Sequence, residues 1–186
     1  MRGGFVGRGL VMAVLLLAGC QTPDSRLYTL SVLPPEGPVA AAAGGALALG
    51  ALELPPLVDR PQIVRRIDPN RVETLEFDRW AEPLADGLRA TLAADLAARL
   101  PGRSVLPVAG SAPGAGTAVL SVTVLTFEST ADGRVVLDAQ WGPANGPRRR
   151  DSVEIRAANG EPAALVAAMS RAVAALADRM AATGRF

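Results

Sequence analysis

The side chains able to do chemistry are few and unevenly placed. Cys20 is the only thiol and ends an apolar run, and Glu73, Glu76, Asp78, Glu82 and Asp86 crowd one later stretch. Arg148, Arg149 and Arg150 stand in a row near the last quarter of the chain. Two carboxylates roughly 5–9.5 Å apart can hydrolyse a glycoside, and Arg can grip phosphate with two parallel hydrogen bonds. The gaps in composition narrow these options. His is absent, and all 19 basic residues are Arg, so Lys is absent too. Without imidazole there is no Ser-His-Asp or Cys-His nucleophile, no imidazole proton shuttle and no His-ligated zinc. Without Lys there is neither a Schiff base nor the phosphate-gripping Lys of a P-loop. Catalysis would have to use carboxylates, Arg, the single Tyr, hydroxyls or backbone amides. In a strand Glu76 and Asp78 share a face while Glu73 points away, yet solvation beside Arg71 and Arg79 explains the acidic cluster more simply than a carboxylate hydrolase does. No catalytic residue, cofactor site or metal ligand is assigned, and the expectation is a protein that is not an enzyme.

Cys20 has a more definite reading. Arg2 and Arg8 precede the apolar segment Leu10–Ala18. That segment falls short of the roughly 20 apolar residues of a spanning helix and reads as a removable leader. Leu17-Ala18-Gly19-Cys20 matches the bacterial lipobox, in which small residues fit the peptidase cleft and the thiol takes the diacylglycerol. The expected organisation is a signal peptide at 1–19, a lipidated tether at 20–25 and one domain at 26–186. Cleavage removes two Arg and no acid, so the formal charge of +1 becomes −1. This leaves no basic excess for nucleic acid. With its one thiol acylated, the chain can form no disulfide even in an oxidising compartment. A single acyl chain anchors weakly, whereas a triacylated Cys is held firmly.

The elements that would position these groups follow from periodicity. Alternation predicts strands over Arg26–Val32, Ala46–Leu54, Gln62–Ile67 and Arg71–Phe77, the last two joined at Asp68-Pro69-Asn70. Further strands are expected over Ala118–Thr126, Arg134–Trp141 and Arg148–Ala157, with a turn at Ala131-Asp132-Gly133. Residues 34–45 and 108–117 are Pro/Gly/Ala loops. A first helix is expected over Glu82–Leu100, with Pro83 in its opening turn and Pro101-Gly102 as the stop. Its leucines at 84, 88, 92, 96 and 100 advance about 40° per step, so the stripe winds around the helix. This suits packing across a twisted sheet, with Ala85, Ala93 and Ala97 permitting close approach. A second helix over Glu161–Ala182 gathers Leu165, Met169, Val173, Leu176 and Met180 on one face, with Arg171 and Asp178 opposite. The fold class is α/β, a single layered domain in which two long helices pack on a mixed or antiparallel sheet.

Leu57–Leu84, LVDRPQIVRRIDPNRVETLEFDRWAEPL, resembles the ABC-type transport auxiliary lipoproteins, the PqiC-like family. The shared features are Asp-Arg-Pro-Gln-Ile-Val at 59–64, the Asn70 turn and Arg79-Trp80-Ala81-Glu82-Pro83-Leu84 leading into a Leu-rich helix. The early Tyr28-Thr29-Leu30 strand after the lipobox also fits. The resemblance implies a periplasmic lipoprotein that serves an MCE-type intermembrane lipid transport system with an inner-membrane ABC transporter. It further implies docking to an MCE-domain protein, as a homo-oligomeric ring. It also implies an outer-membrane anchor. Gln21 agrees, because Asp at that place favours inner-membrane retention in enteric bacteria. An envelope scaffold or assembly lipoprotein is the alternative reading.

Asp59-Arg60-Pro61-Gln62 has two readings. It can offer charged and amide groups to a partner, or Asp59 can cap a turn while Pro61 sets the direction of the next strand. Trp80, read as the beginning of the first helix beside a charged pair, can likewise anchor an interface or cover the core. Asp59, Arg60, Gln62 and Trp80 are the candidate docking residues. Arg148–Arg150 can meet phosphate head groups or act as a solubilising run on an edge strand.

Overall fold

The computed structural model describes residues 23–37, 39, 44–108 and 114–184. The leader, the lipobox and Cys20 lie outside the described residues. The elements run β1 (Arg26–Tyr28), β2 (Leu47–Glu53), β3 (Gln62–Asp68), β4 (Arg71–Trp80), α1 (Leu84–Arg99), β5 (Val105–Pro107), β6 (Ala118–Thr130), β7 (Arg134–Pro143), β8 (Arg149–Arg156) and α2 (Pro162–Thr183). The eight strands form one sheet, and its mixed character is definite. Pairs β1–β4, β2–β5, β2–β6 and β3–β6 are parallel, whereas β3–β4, β6–β7 and β7–β8 are antiparallel.

Strand β6 is the axis of the sheet. Its whole length on one edge pairs with β7. The other edge is shared, with β2 along residues 118–123 and β3 at Ser129 and Thr130. The sheet therefore carries two wings, β2–β5 and β3–β4–β1. Leu120, Val122 and Val124 point inward at alternate positions, and then Phe127 and Ser129 do so. The switch from even to odd numbers falls at the register shift between Val124 and Thr126, where a bulge returns the apolar set to the core side.

Both helices cover one face. Helix α2 lies on β6, β7 and β8, while α1 lies on β2, β5 and α2. Leu84, Leu88, Leu92, Leu96 and Leu100 are all at most 5% exposed, as the four-residue spacing requires. Leu165, Met169, Val173, Leu176 and Met180 form the matching stripe of α2. Gly184, with φ of 58°, closes α2 by donating its N–H to the Ala181 carbonyl.

Four local expectations are corrected. The first strand ends at Tyr28 and not Val32, because the chain leaves the sheet there and crosses the helices. The fourth continues through Trp80, so Trp80 ends a strand and does not begin a helix, and Pro83 is the cap residue of α1. The short β5 was not anticipated, since three residues are too few to show alternation. Ala97 is exposed, so it is not a point of close approach.

The turn after β6 meets the loop before α2 at close range. Gly133 has φ of +89°, a conformation that suits glycine, and its N–H donates to Thr130 O at 3.0 Å. A Cβ on Gly160 would fall 2.1 Å from the Ala131 carbonyl oxygen. Gly160→Ala is therefore expected to cost about 1–3 kcal/mol through overpacking, read as a lower urea midpoint with an unchanged slope.

Candidate functional site

The polar groups that the sequence scatters converge where the N-terminal segment meets the fold. Strand β1 lies parallel to β4 with Arg26 opposite Asp78, Leu27 opposite Arg79 and Tyr28 opposite Trp80. Arg26 donates two hydrogen bonds to Asp78, Nε to Oδ1 and Nη2 to Oδ2, each 2.7 Å. The Tyr28 hydroxyl adds a third at 2.9 Å to Oδ1. Asp78 is 4% exposed. Burial pushes its carboxyl upward, but the bonds from Arg26 and Tyr28 and the Arg26 charge outweigh this and hold it below the usual carboxylate range. The same contact raises the Tyr28 phenol, chiefly through burial and then through its bond to Asp78.

Beyond Tyr28 the chain becomes a strap over the helix pair. Ser31 N–H donates to Ser170 Oγ on α2 at 3.0 Å, and that hydroxyl donates to Val166 O. Leu33 N–H donates to Asp95 Oδ1 on α1 at 2.9 Å. Arg99 closes the arrangement. Its Nη1 donates to Leu33 O at 3.0 Å and to Asp95 O at 3.1 Å, while Nε and Nη2 reach Asp178 Oδ1 and Oδ2 on α2 at 2.5 and 3.2 Å. Asp95 is fully buried, and its Oδ2 has no hydrogen-bond partner among the described residues. Burial pushes its carboxyl above the ordinary value, opposed by the Leu33 N–H and the Arg99 charge.

Periodicity did not reveal this network. Asp178 was expected on the solvent side of α2, yet it accepts two bonds from a buried cation. The available signal was the i,i+4 pair Asp95 and Arg99, each one residue before a buried leucine.

The candidate docking residues lie in the same corner. Asp59 N–H bonds Pro55 O at 3.2 Å and Arg60 N–H bonds Val58 O at 2.9 Å, and both side chains are exposed. Gln62 is half-buried and sits in register with Arg79. Trp80 is 8% exposed and belongs to the core, with its N–H on Pro61 O at 2.8 Å. Ala81 N–H then bonds Tyr28 O at 2.9 Å, which ties the loop, the end of β4 and β1 together. Asp59, Arg60 and Gln62 thus present at the surface above a buried Trp80.

The carboxylate cluster does not assemble. Glu76 and Asp78 were expected on one face, but the β3–β4 register shifts between Gln62 and Ile63, leaving Glu76 exposed and Asp78 buried. Glu73 pairs with Arg65 at 2.8 Å and Asp86 with Arg89 at 2.8 Å. In the Arg run, Arg150 reaches Asp138 through two bonds, and Arg148 donates to Thr123 Oγ1 at 3.0 Å. Among the described residues, no group of three His, Cys, Asp or Glu could hold a metal ion.

The family described as "ABC-type transport auxiliary lipoprotein component" matches residues 28–181, from Tyr28 in the clamp to the end of α2. The chain belongs to this family. Two relatives called "Intermembrane transport lipoprotein PqiC", from Escherichia coli (strain K12) and Shigella flexneri, are each 29% identical over 135 residues, 71% of either chain. The fold resembles that of an uncharacterized crystallised protein, with a TM-score of 0.70, 22% identity and coverage of 87% of this chain and 99% of the other. It also resembles a Xanthomonas campestris protein, with a TM-score of 0.63, 16% identity and coverage of 84% and 92%. In this auxiliary lipoprotein the match begins where the strap is fastened. No described helix is long and apolar enough to cross a membrane.

Arg99→Leu leaves Asp95 buried without its cation and the strap without a donor. The expected cost is about 2–4 kcal/mol, with hydrogen-exchange protection lost at Leu33 before the core of α2 opens. Asp78 makes stability depend on acid. Its folded-state pKa lies below the unfolded one, so its contribution is full above about pH 5 and fades as the pH falls through and below about 4. Asp78→Asn is therefore expected to flatten the stability profile on that acid limb, checked by urea titrations across pH.

Proposed function

We propose that the chain is an outer-membrane-anchored periplasmic lipoprotein, an accessory subunit of an MCE/ABC-type system that moves lipid between membranes. The observation that carries this reading is the family match over residues 28–181 downstream of a lipobox at Leu17–Cys20. The names of the two PqiC relatives support the intermembrane role. Gln21 supports the outer membrane. On this reading residues 1–19 are removed, Cys20 carries the acyl groups, residues 20–25 form the tether, and the rest is the auxiliary domain.

The mechanism is anchoring and docking, without catalysis. The strong polar groups of the N-terminal corner are occupied in holding the strap, and the acids of β4 are exposed or paired with Arg. An MCE-domain protein is the partner, and the domain acts as part of a homo-oligomeric ring. Asp59 and Arg60 on an exposed loop, with the half-buried Gln62 that opens β3, are suited to protein contact beside the buried Trp80.

Cys20→Ser behind a leader whose cleavage does not depend on the lipobox is expected to move the protein from the outer-membrane fraction to the soluble periplasm while leaving its fold intact. Crosslinking of the acylated protein in cells should capture an MCE-domain protein. Recovery of the acylated chain free of any such protein would count against the reading.

A further inference from the structure

The clamp and strap fix where the tether leaves the folded domain, and this determines which surface stands nearest the membrane. Only residues 21–25 separate Cys20 from Arg26, a reach of at most about 20 Å at 3.3–3.6 Å per residue. Arg26 cannot swing away, because Asp78 holds it through two bonds. The surface beside this exit is unusual for its exposed apolar groups. Leu27 is 65% exposed and Phe77 is 40% exposed. Leu27 lies in register with Arg79, on the side opposite Asp78 and Trp80, and Phe77 stands exposed two residues before Arg79 at the same end of β4. Arg79, half-buried beside Leu27, makes no ion pair among the described residues, and its Nε has no hydrogen-bond partner among them.

We propose that this face of the β1–β4 edge, carrying Leu27, Phe77 and Arg79, rests on the phospholipid bilayer to which the chain is anchored. The inference rests on acylation of Cys20. The length of the tether identifies the occupant, because it keeps the patch within reach of the headgroup layer at all times. The chemistry agrees: Leu and Phe seat shallowly among acyl chains, while an Arg at their level can bond lipid phosphate with its fork. The domain is thereby held in one orientation, with the β2–β5 wing at a distance.

The test uses the full acylated protein in phosphatidylethanolamine–phosphatidylglycerol vesicles. Cys20 is the only cysteine and is blocked by its lipid, so Leu27→Cys, Phe77→Cys or Leu106→Cys can be labelled at one position with an environment-sensitive fluorophore. Leu106, 42% exposed on β5, is the control in the other wing. Labels at 27 and 77 are expected to shift to the blue and to be quenched several-fold more by shallow spin-labelled lipid than the label at 106. Equal quenching at all three positions, or none at 27 and 77 in protein that floats with the vesicles, would overturn the proposal. So would concentration-dependent crosslinking between copies through position 27 with no lipid quenching, which would assign the face to a second copy. Protein that fails to float shows instead that the acylation reading is wrong, and flotation is scored before the labels are read.

Discussion

Arg99 is the group on which the arrangement of the N-terminal half depends. Its side chain is 2% exposed, and a cation at that depth must be given acceptors. It finds them on Asp178 of α2, on the Leu33 carbonyl of the strap and on the Asp95 carbonyl of its own helix. Each acceptor belongs to a different segment, so satisfying one charge brings three segments together. Apolar burial alone would not seat the strap. Ser31 and Val32 are exposed, Val32 by 51%, and Leu30 and Leu33 are only half-buried. A leucine at 99 could fill the seam between the helices, but it would leave the strap with little reason to lie there.

Asp78 does for the sheet edge what Arg99 does for the helices. A parallel edge strand of three residues has too few ladder bonds to hold itself, and parallel pairs are slightly weaker per residue. The Arg26–Asp78–Tyr28 contact supplies the missing hold. Its strength comes from asymmetric exposure. The Arg26 side chain is 63% exposed and keeps much of its hydration, while Asp78 is buried and fully served. The pairing therefore avoids most of the cost of burying two charges.

Much of the fold could be read from the sequence, because it is written in local spacing. The leucine ladder of α1, the single stripe of α2 and the alternation of β6 and β7 each report burial within one element. The parts that could not be read are set by contacts between distant residues. Arg99 and Asp178, Leu33 and Asp95, and Ser31 and Ser170 are joined only once both helices have packed, and periodicity assigns each such charge to solvent by default. The pairing of Glu76 with Asp78 failed for a related reason. Alternation holds only while the register holds, and the irregularity opposite Ile63 breaks it. Trp80 was misplaced by its neighbours, since Pro83 marks the helix start without showing how far the preceding strand runs.

If Cys20 is acylated as proposed, the two polar contacts together set how far the domain can stand from its anchor. Were the clamp and strap absent, the first residue fastened to the sheet would be Leu47, and the tether would comprise residues 21–46, a contour of about 90 Å. With both in place the free length ends before Arg26. The difference is large compared with the domain itself, so on the proposed acylation a few buried hydrogen bonds would decide whether the domain stays at the bilayer surface or ranges far from it. For the proposed anchored subunit the short form would be the useful one, because a short tether would hold the candidate docking residues at a high local concentration near the membrane. Asp78, which first stood in a cluster open to a catalytic reading, thus shares a mechanical role with Asp95, Arg99 and Asp178: together they fasten the N-terminal segment to the sheet edge and to both helices.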